Sequence, residues 1–281
     1  MLELLSEQRC FGGRQLLYRH KSKAIGLTMR FAAFVPEQAS QRALPALIYL
    51  AGLTCNEETF MIKAGAQRLA AELGMILIAP DTSPRDAGIA GEADDWEVGM
   101  AASFYLDATE APWAQHYRMQ SYLLELRELV LAQWQIAGKP GIMGHSMGGH
   151  GALVTALRQP ELFASVSAIA PIAHPVACAW GEKAFTTLLG PRSAAWEAYD
   201  ASLLMQRLRT PFRAGILIDQ GMADKFLPTQ LQPEAFEKAC LQAGQPLQLR
   251  RHPGYDHGYY FIASVIDSHL HFHYQAGLHQ A

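Results

Sequence analysis

Long apolar runs, low-complexity segments and flexible linkers are all lacking in this chain of 281 residues. No stretch reaches the length that spans a membrane, and the N-terminal segment carries charged residues where a signal peptide would have its apolar core. No Pro-, Gly- or Ser-rich segment divides the sequence. With 50% hydrophobic and 17% charged residues, the chain can bury one large core. We therefore expect a single domain over 1–281 in a soluble, cytoplasmic protein.

Strong net charge is also lacking. The chain has 23 Lys and Arg residues against 26 Asp and Glu residues, and the basic residues are scattered along it. Proteins that bind nucleic acid or anionic membranes concentrate positive charge on one face. The sequence argues against both partners and leaves a small-molecule substrate as the expected one.

Cysteine is rare and widely spaced. The four cysteines, Cys10, Cys55, Cys178 and Cys240, form no C-x-x-C pair. Disulfide frameworks and structural zinc sites have closely spaced or patterned cysteines. We expect reduced thiols and no metal site.

Short apolar runs recur along the chain, and most are continuous rather than alternating. Continuous runs are typical of strands covered on both faces. They are residues 46–50, 75–79, 141–143, 165–169 and 215–218. Segment 26–36 instead alternates, which predicts a half-buried antiparallel strand. A last strand is predicted at 247–252.

Helical patterns lie between and after these runs. They cover residues 62–73, 119–134, 147–157, 233–243 and 258–272. Alternating strands and helices predict an α/β fold with a mostly parallel central sheet flanked by helices. Sites in such sheets form where loops leave the carboxyl ends of strands.

A G-x-S-x-G motif, Gly144-His145-Ser146-Met147-Gly148, follows one of these apolar runs and precedes a helical pattern. A serine on such a strand-to-helix turn is crowded by backbone, so its flanking positions tolerate no Cβ. The turn also places the N–H of Met147 at a helix N-terminus, where it can donate to an oxyanion. The motif predicts Ser146 as a nucleophile.

Candidates for the other catalytic groups follow later strands in the order acid, then histidine. His257 lies after the last strand and is the candidate base, and Asp224 lies in the loop after the preceding strand. Asp224 is favoured because it is far enough along its loop to reach the histidine, whereas Asp256 adjoins His257 and diverges from it. Asp219 stays open as an alternative.

A second oxyanion donor normally comes from the loop after an earlier strand. The segment 50–57 fits, because Gly52 permits a tight backbone and the N–H near Leu53 can then face the reacting carbonyl.

Other histidines near strand ends are interpreted as hydrogen-bonded structural residues. They are His145, His150, His174 and His252. The run from His269 to His273 has only these two histidines on one helix face, with no third ligand, and is interpreted as a solvated helix end.

The motif and six further stretches, spread through nearly the whole chain, resemble the S-formylglutathione hydrolase (esterase D) family of α/β-hydrolases. The stretches are LAGLTC (50–55), KAGAQ (63–67), PDTSPR (80–85), FYLDAT (104–109), GHSMGGHGAL (144–153), WGEKAF (180–185) and YDH (255–257).

The resemblance implies a catalytic triad of Ser146, Asp224 and His257, with oxyanion donors from the backbones of Leu53 and Met147. It implies a cytoplasmic thioesterase that releases formate and glutathione in formaldehyde detoxification, acts on small carboxylic esters and needs no cofactor. A homodimer is expected from the resemblance alone.

Two departures from the family pattern bear on substrate preference. The family has glycines where this chain has Ala101 and Ser103, and those residues would reshape the loop if the glycines had positive φ. The family also commonly has proline at the position of Ala179.

Three further residues are candidates for the surroundings of the site. Cys55 lies two residues beyond Leu53, so it is either a thiol whose modification blocks the pocket or a small buried apolar residue. Trp96 and Trp180 are candidates for the pocket lining or for plain packing.

Three functions fit these residues: an S-formylglutathione thioesterase, a general carboxylesterase with the same catalytic residues, and a catalytically silent binding module. The thioesterase is the leading hypothesis, because nucleophile, acid, base and oxyanion loop all occur in order.

Overall fold

The computed structural model describes residues 2–278. Its strands form one sheet in the order β1-β2-β3-β5-β4-β6-β7-β8-β9. The strands are β1 Leu2–Cys10, β2 Gly13–Lys21, β3 Thr28–Val35, β4 Ala46–Leu50, β5 Ile76–Pro80, β6 Gly141–His145, β7 Val166–Ile169, β8 Ile216–Gly221 and β9 Leu247–His252. From β5 to β9 neighbouring strands are parallel, and β1, β2 and β3 join antiparallel at the β5 edge.

Helices lie between the strands. They are α1 Glu57–Lys63, α2 Gln67–Leu73, α3 Met119–Gln133, α4 Met147–Arg158, α5 Ala179–Leu189, α6 Ala194–Glu197, α7 Ala201–Met205, α8 Pro233–Ala243 and α9 Tyr259–Leu278. The prediction of an α/β fold with a mostly parallel sheet and flanking helices is confirmed. In the part of the chain described, no helix combines the length and apolar character needed to cross a membrane.

Burial explains why the central strands were predicted well. Every residue of β4, β5, β6, β7 and β8 is buried, as continuous apolar runs require. Strand β3 alternates only as far as Phe31 and is wholly buried from there on. Its antiparallel pairing with β2 and β5 agrees with the prediction.

The predicted helix over 62–73 is wrong as a single element. Helix α1 begins earlier, because Asn56 caps it by accepting hydrogen bonds from the N–H groups of Glu58 and Thr59. The chain then breaks at Gly65, whose φ is +71°, before α2 begins. This break places Lys63 at the end of α1.

The prediction of a solvated helix end around His269 and His273 is also wrong. Helix α9 continues beyond the predicted end and contacts β6, β7 and β8, so both histidines are buried against the sheet. His273 lies 2.7 Å from the hydroxyls of Ser165 and Ser167, and His269 lies 2.8 Å from Ser167 and 3.0 Å from Asp219. Ser167 on β7 and Ser165 just before it are small, so they leave room for two imidazoles spaced one helical turn apart.

Candidate active site

Ser146 occupies a strained turn between β6 and α4. Its φ is 58° and its ψ is −119°, which is rare for a residue with a side chain. A Cβ on Gly144 would lie 2.1 Å from the carbonyl oxygen of Gly148, and one on Gly148 would lie 2.0 Å from that of Leu50. Both positions therefore require glycine, as the motif predicts.

A chain of hydrogen bonds connects Ser146, His257 and Asp224. The Ser146 Oγ lies 2.8 Å from Nε2 of His257, and the His257 Nδ1 lies 2.5 Å from Oδ2 of Asp224. Because the ionised carboxylate only accepts, Nδ1–H donates to Asp224 and Nε2 accepts from the serine hydroxyl. This tautomer is the one a general base at serine requires.

Asp224 is held in place by its own loop. Its side chain has 0% exposure, and its Oδ1 accepts a 2.8 Å hydrogen bond from the backbone N–H of Phe226. A buried carboxylate with two fixed partners cannot rotate away from the histidine. The loop position that favoured Asp224 in the sequence is the one that reaches His257.

Asp219, the alternative acid, belongs to a different cluster. It pairs with Arg250 and lies 2.9 Å from His252 and 3.0 Å from His269, away from His257. Burial alone would raise the pKa of Asp219, but hydrogen bonds from His269, Arg250 and His252 outweigh it and hold that pKa well below its usual range. Asp219 is therefore a structural anion.

Two backbone N–H groups are available near Ser146. Met147 is the first residue of α4, so its N–H has no acceptor within the helix and sits at the positive end of the helix dipole. Leu53 follows Gly52, where an added Cβ would lie only 3.2 Å from the Cβ of Ser146. The loop that carries Leu53 thus adjoins the serine.

The Leu53 loop is fixed by groups that the residue-level reasoning did not single out. The carbonyl of Cys55 accepts hydrogen bonds from Thr82 Oγ1 at 2.6 Å and from Arg85 at 3.0 Å, and Arg85 also pairs with the buried Asp81. The sequence singles out the PDTSPR stretch, residues 80–85, only through the family resemblance. The signal that could have marked this stretch is the spacing of Asp81 and Arg85, four residues apart, which suits an ion pair.

A cavity of about 400 Å³ opens onto the serine. Residues of the loop that carries Leu53 and several aromatic side chains line it together with Ser146 and His257. The lining residues are Gly52, Leu53, Thr54, Cys55, Thr59, Lys63, Trp96, His145, Ser146, Trp180, Phe226, His257 and Tyr259. Cys55, Trp96 and Trp180 therefore all line the cavity.

Aromatic rings form one wall of this cavity. Trp96 and Trp180 meet edge to face with centroids 5.5 Å apart, and Phe226 lies 4.7 Å from Trp180 and 5.0 Å from the His257 ring. Phe226 thus packs edge to face against the His257 imidazole. Phe226 carried no sequence signal, since a phenylalanine two residues after an aspartate is unremarkable.

His145 differs from its expected role as a hydrogen-bonded histidine. It is 6% exposed, its ring centroid lies 4.5 Å from that of His257, and neither ring nitrogen has a partner among residues 2–278. Burial, with a smaller contribution from nearby His257, holds the pKa of His145 well below its usual value. The other three histidines do have partners: Phe104 for His150, Asp200 for His174 and Asp219 for His252.

Comparison with known proteins identifies the family. A family described as "Putative esterase" matches residues 22–272. The S-formylglutathione hydrolase of Mus musculus is 48% identical over 275 residues, which covers 97% of this chain and 97% of the mouse protein. The chain belongs to the S-formylglutathione hydrolase family of esterases. It is accordingly a serine hydrolase.

Solved structures agree with this family. An S-formylglutathione hydrolase from Agrobacterium tumefaciens is 43% identical and superposes with a TM-score of 0.93, covering 97% of this chain and 99% of that one. FphF, a fluorophosphonate-binding serine hydrolase of Staphylococcus aureus, is 21% identical with a TM-score of 0.74, covering 93% and 98%. The second likeness concerns the fold alone, and it supports the predicted α/β-hydrolase fold.

The two departures from the family pattern have different structural meanings. Ala101 has φ 58°, whereas Ser103 is not among the described residues with positive φ. Ser103 instead donates a 2.6 Å hydrogen bond to the carbonyl of Thr82. Ala179 is the exposed first residue of α5, a position that suits proline but does not need it.

Cys55 is partly buried beside Tyr259, with its Sγ 4.0 Å from the Tyr259 hydroxyl. Burial raises the pKa of the Cys55 thiol, and hydrogen bonds from Tyr259 and Thr59 offset only part of that shift. The thiol therefore faces the cavity mainly in its protonated form at neutral pH. In the described part of the chain, no group of three or more His, Cys, Asp or Glu residues is arranged to hold a metal ion.

Proposed function

We propose that this protein is a serine thioesterase that hydrolyses S-formylglutathione to formate and glutathione. The observation that carries the proposal is the continuous chain from Asp224 through His257 to Ser146 at the floor of an open cavity. The mouse and Agrobacterium relatives, which bear the name of this activity, support the substrate.

In the first half-reaction, Ser146 Oγ attacks the formyl carbon while His257 Nε2 takes the hydroxyl proton. The negative charge that develops on the carbonyl oxygen is stabilised by the N–H groups of Leu53 and Met147. The C–S bond then breaks, and the imidazolium returns its proton to the departing thiolate. Asp224 stabilises the imidazolium and keeps its tautomer fixed.

In the second half-reaction, water attacks the formyl ester of Ser146. His257 takes a proton from that water, and the same two N–H groups stabilise the second oxyanion. The C–O bond to Ser146 breaks, the serine oxygen recovers the proton from His257, and formate leaves. No cofactor takes part in either step.

We further infer a cytoplasmic enzyme that serves formaldehyde detoxification and assembles as a homodimer. These points rest on the family resemblance. Light scattering coupled to gel filtration measures the assembly directly, and a mass of one chain would exclude the dimer.

The test is kcat/KM for S-formylglutathione beside S-acetylglutathione and 4-nitrophenyl acetate, with wild type and Ser146→Ala. We expect a strong preference for the formyl thioester and the loss of nearly all turnover in the variant, with the far-UV circular dichroism unchanged. A preference for the aryl ester would make the protein a general carboxylesterase. A retained rate in Ser146→Ala would refute the mechanism.

A further inference from the structure

We propose that Lys63 binds a carboxylate of the thiol leaving group and so selects anionic thioesters. The inference rests on the proposed function, because glutathione is the leaving group in that reaction. It assigns a leaving-group subsite within the cavity that contains Ser146.

Lys63 is the cation at this cavity. Of the described residues that line it, Lys63 alone has a side chain that is positively charged throughout the neutral pH range. Its Nζ lies 5.6 Å from the centroid of the Tyr259 ring, which also lines the cavity. A cation above an aromatic face is weakly attracted to it, so the ammonium group is held at the cavity.

The charge of Lys63 is not cancelled by the protein. Across residues 2–278, no Asp or Glu forms an ion pair with it. The side chain is exposed, so it can reorient toward an incoming anion. Lys225, another exposed lysine near His257, does not line this cavity. It lines an adjoining one that shares Phe226 and His257 with it and also contains Asp256.

The charged groups by the aromatic wall of Trp96, Trp180 and Phe226 balance one another. Glu97 accepts from Trp180 Nε1 at 2.8 Å, and both Glu97 and Asp95 pair with the single cation Lys183, at 2.6 and 2.5 Å. Lys225 Nζ lies 4.9 Å from the centroid of Phe226 in the same wall, so two ammonium groups match the two carboxylates there. The wall therefore offers an anionic leaving group no excess positive charge, whereas Lys63 does.

Glutathione fits this pattern chemically. It carries two carboxylates and one ammonium group at neutral pH, so a glutathione thioester is a net anion. With its carbonyl at Ser146, its peptide arms extend through the same cavity that Lys63 lines. The class of ligand assigned to the subsite is therefore a carboxylate on the thiol portion of the substrate.

The experiment compares two substrates that share one reacting group: S-formylglutathione and its dimethyl ester, in which both carboxylates are blocked. Lys63→Gln should lower the ratio of kcat/KM for the acid to that for the ester by about fivefold, since an exposed charge pair is worth at most this much. The loss should fall mainly on KM, because the contact exists before and during the reaction. Lys63→Glu should lower the ratio further, and Lys63→Arg should restore it.

The matched control is Lys238→Gln, an exposed lysine of α8 that does not line this cavity. It should leave the ratio at the wild-type value. An unchanged ratio in Lys63→Gln, or an equal loss with both substrates, would overturn the proposal. An equal loss would mean that Lys63 only supports the packing of Tyr259.

A failure of the proposed function would look different. If wild type does not hydrolyse S-formylglutathione but does hydrolyse 4-nitrophenyl acetate, the thioesterase assignment falls. Lys63 is then tested with 4-nitrophenyl acetate beside 3-carboxy-4-nitrophenyl acetate. A preference for the carboxylated ester that Lys63→Gln removes would uphold the subsite, and the same preference in both proteins would refute it.

Discussion

The carbonyl oxygen of Ala101 accepts a hydrogen bond of 3.0 Å from the N–H of Thr54. This hydrogen bond joins the loop of Ala101 and Ser103, which departs from the family pattern, to the segment that carries Leu53. Thr54 itself has φ 67°, so two adjoining segments hold residues in the left-handed region beside the site. Ala101 and Ser103 replace family glycines, yet only Ala101 adopts a backbone conformation that favours glycine.

Ala101→Gly should therefore stabilise the protein by about 0.5–1 kcal/mol, because the left-handed region costs an L-residue about 1–2 kcal/mol and glycine gives part of that back as entropy. The matched change Ser103→Gly should destabilise it by about 1–3 kcal/mol, because it removes the hydrogen bond to Thr82. Urea unfolding measures both. The reverse order of stability would contradict this explanation, and equal effects would show that the two positions respond to glycine in the same way.

The order of Ser146, Asp224 and His257 along the chain was predictable because it depends on local features. The glycines around Ser146 leave no room for a Cβ, and the polar segments containing Asp224 and His257 directly follow two predicted strands, β8 and β9. The nearest competitor, Asp219, could be set aside only with the structure. Its partners Arg250, His252 and His269 come from β9 and α9, so no local pattern could pair them with it.

The elements that were missed have weak local signals. Strand β1 is mostly exposed or half-buried and pairs with β2 alone, so its residues show no alternation that burial would impose. His269 and His273 are polar residues on a buried helix face, and only the serines opposite them explain their burial. The structure at these positions depends on contacts with residues distant in the sequence, which no local pattern shows.

Substitutions at Asp224 and Asp219 should have different effects, the first on kcat and the second on the free energy of unfolding. Asp224→Asn should lower kcat by about 10³- to 10⁴-fold, because the amide no longer favours the tautomer that accepts from Ser146. Asp219→Asn should keep kcat near the wild-type value but lower the free energy of unfolding by about 3–5 kcal/mol, because Arg250 loses its buried partner. Steady-state kinetics and urea unfolding of both variants give the answer.

Ser167 supplies a control for the assignment of Ser146 as the nucleophile. With His269 and Asp219 it forms a second Ser-His-Asp sequence of hydrogen bonds, but all three side chains are buried. A reactive fluorophosphonate should label wild type and Ser167→Ala but not Ser146→Ala. Labelling that survives in Ser146→Ala would place the nucleophile elsewhere.

Buried histidines should make the fold sensitive to mild acid. Burial lowers the pKa of His150 to about 4 and holds that of His273 well below its usual value. Above about pH 6.5 these two histidines are neutral in both the native and the unfolded chain. Below it the unfolded chain binds protons that the native state does not, so the free energy of unfolding falls as pH decreases, by up to about 1.4 kcal/mol per pH unit for each histidine.

The measurement is urea unfolding between about pH 5 and 7.5, bracketing the usual histidine pKa. His150→Gln should make the free energy of unfolding fall less steeply with decreasing pH, by the contribution of one proton. The glutamine amide can still donate to the carbonyl of Phe104, which lies 3.0 Å from His150 Nε2. His271→Gln, at an exposed position of α9, should leave the slope unchanged. Equal slopes in all three proteins would contradict the assignment to His150.

Cys55 should react slowly with iodoacetamide at pH 7 and inactivate the enzyme once it has reacted. Burial raises its thiol pKa, so little thiolate is present at neutral pH, and the added group would occupy the cavity that Ser146 shares. The experiment uses a Cys10→Ser background, because Cys10 is the other cysteine that is not fully buried. Inactivation should quicken as the pH rises toward 9 and disappear in Cys55→Ala. Full activity after stoichiometric labelling of Cys55, verified by mass spectrometry, would show that the cavity tolerates the added group and that the thiol has no control over the site.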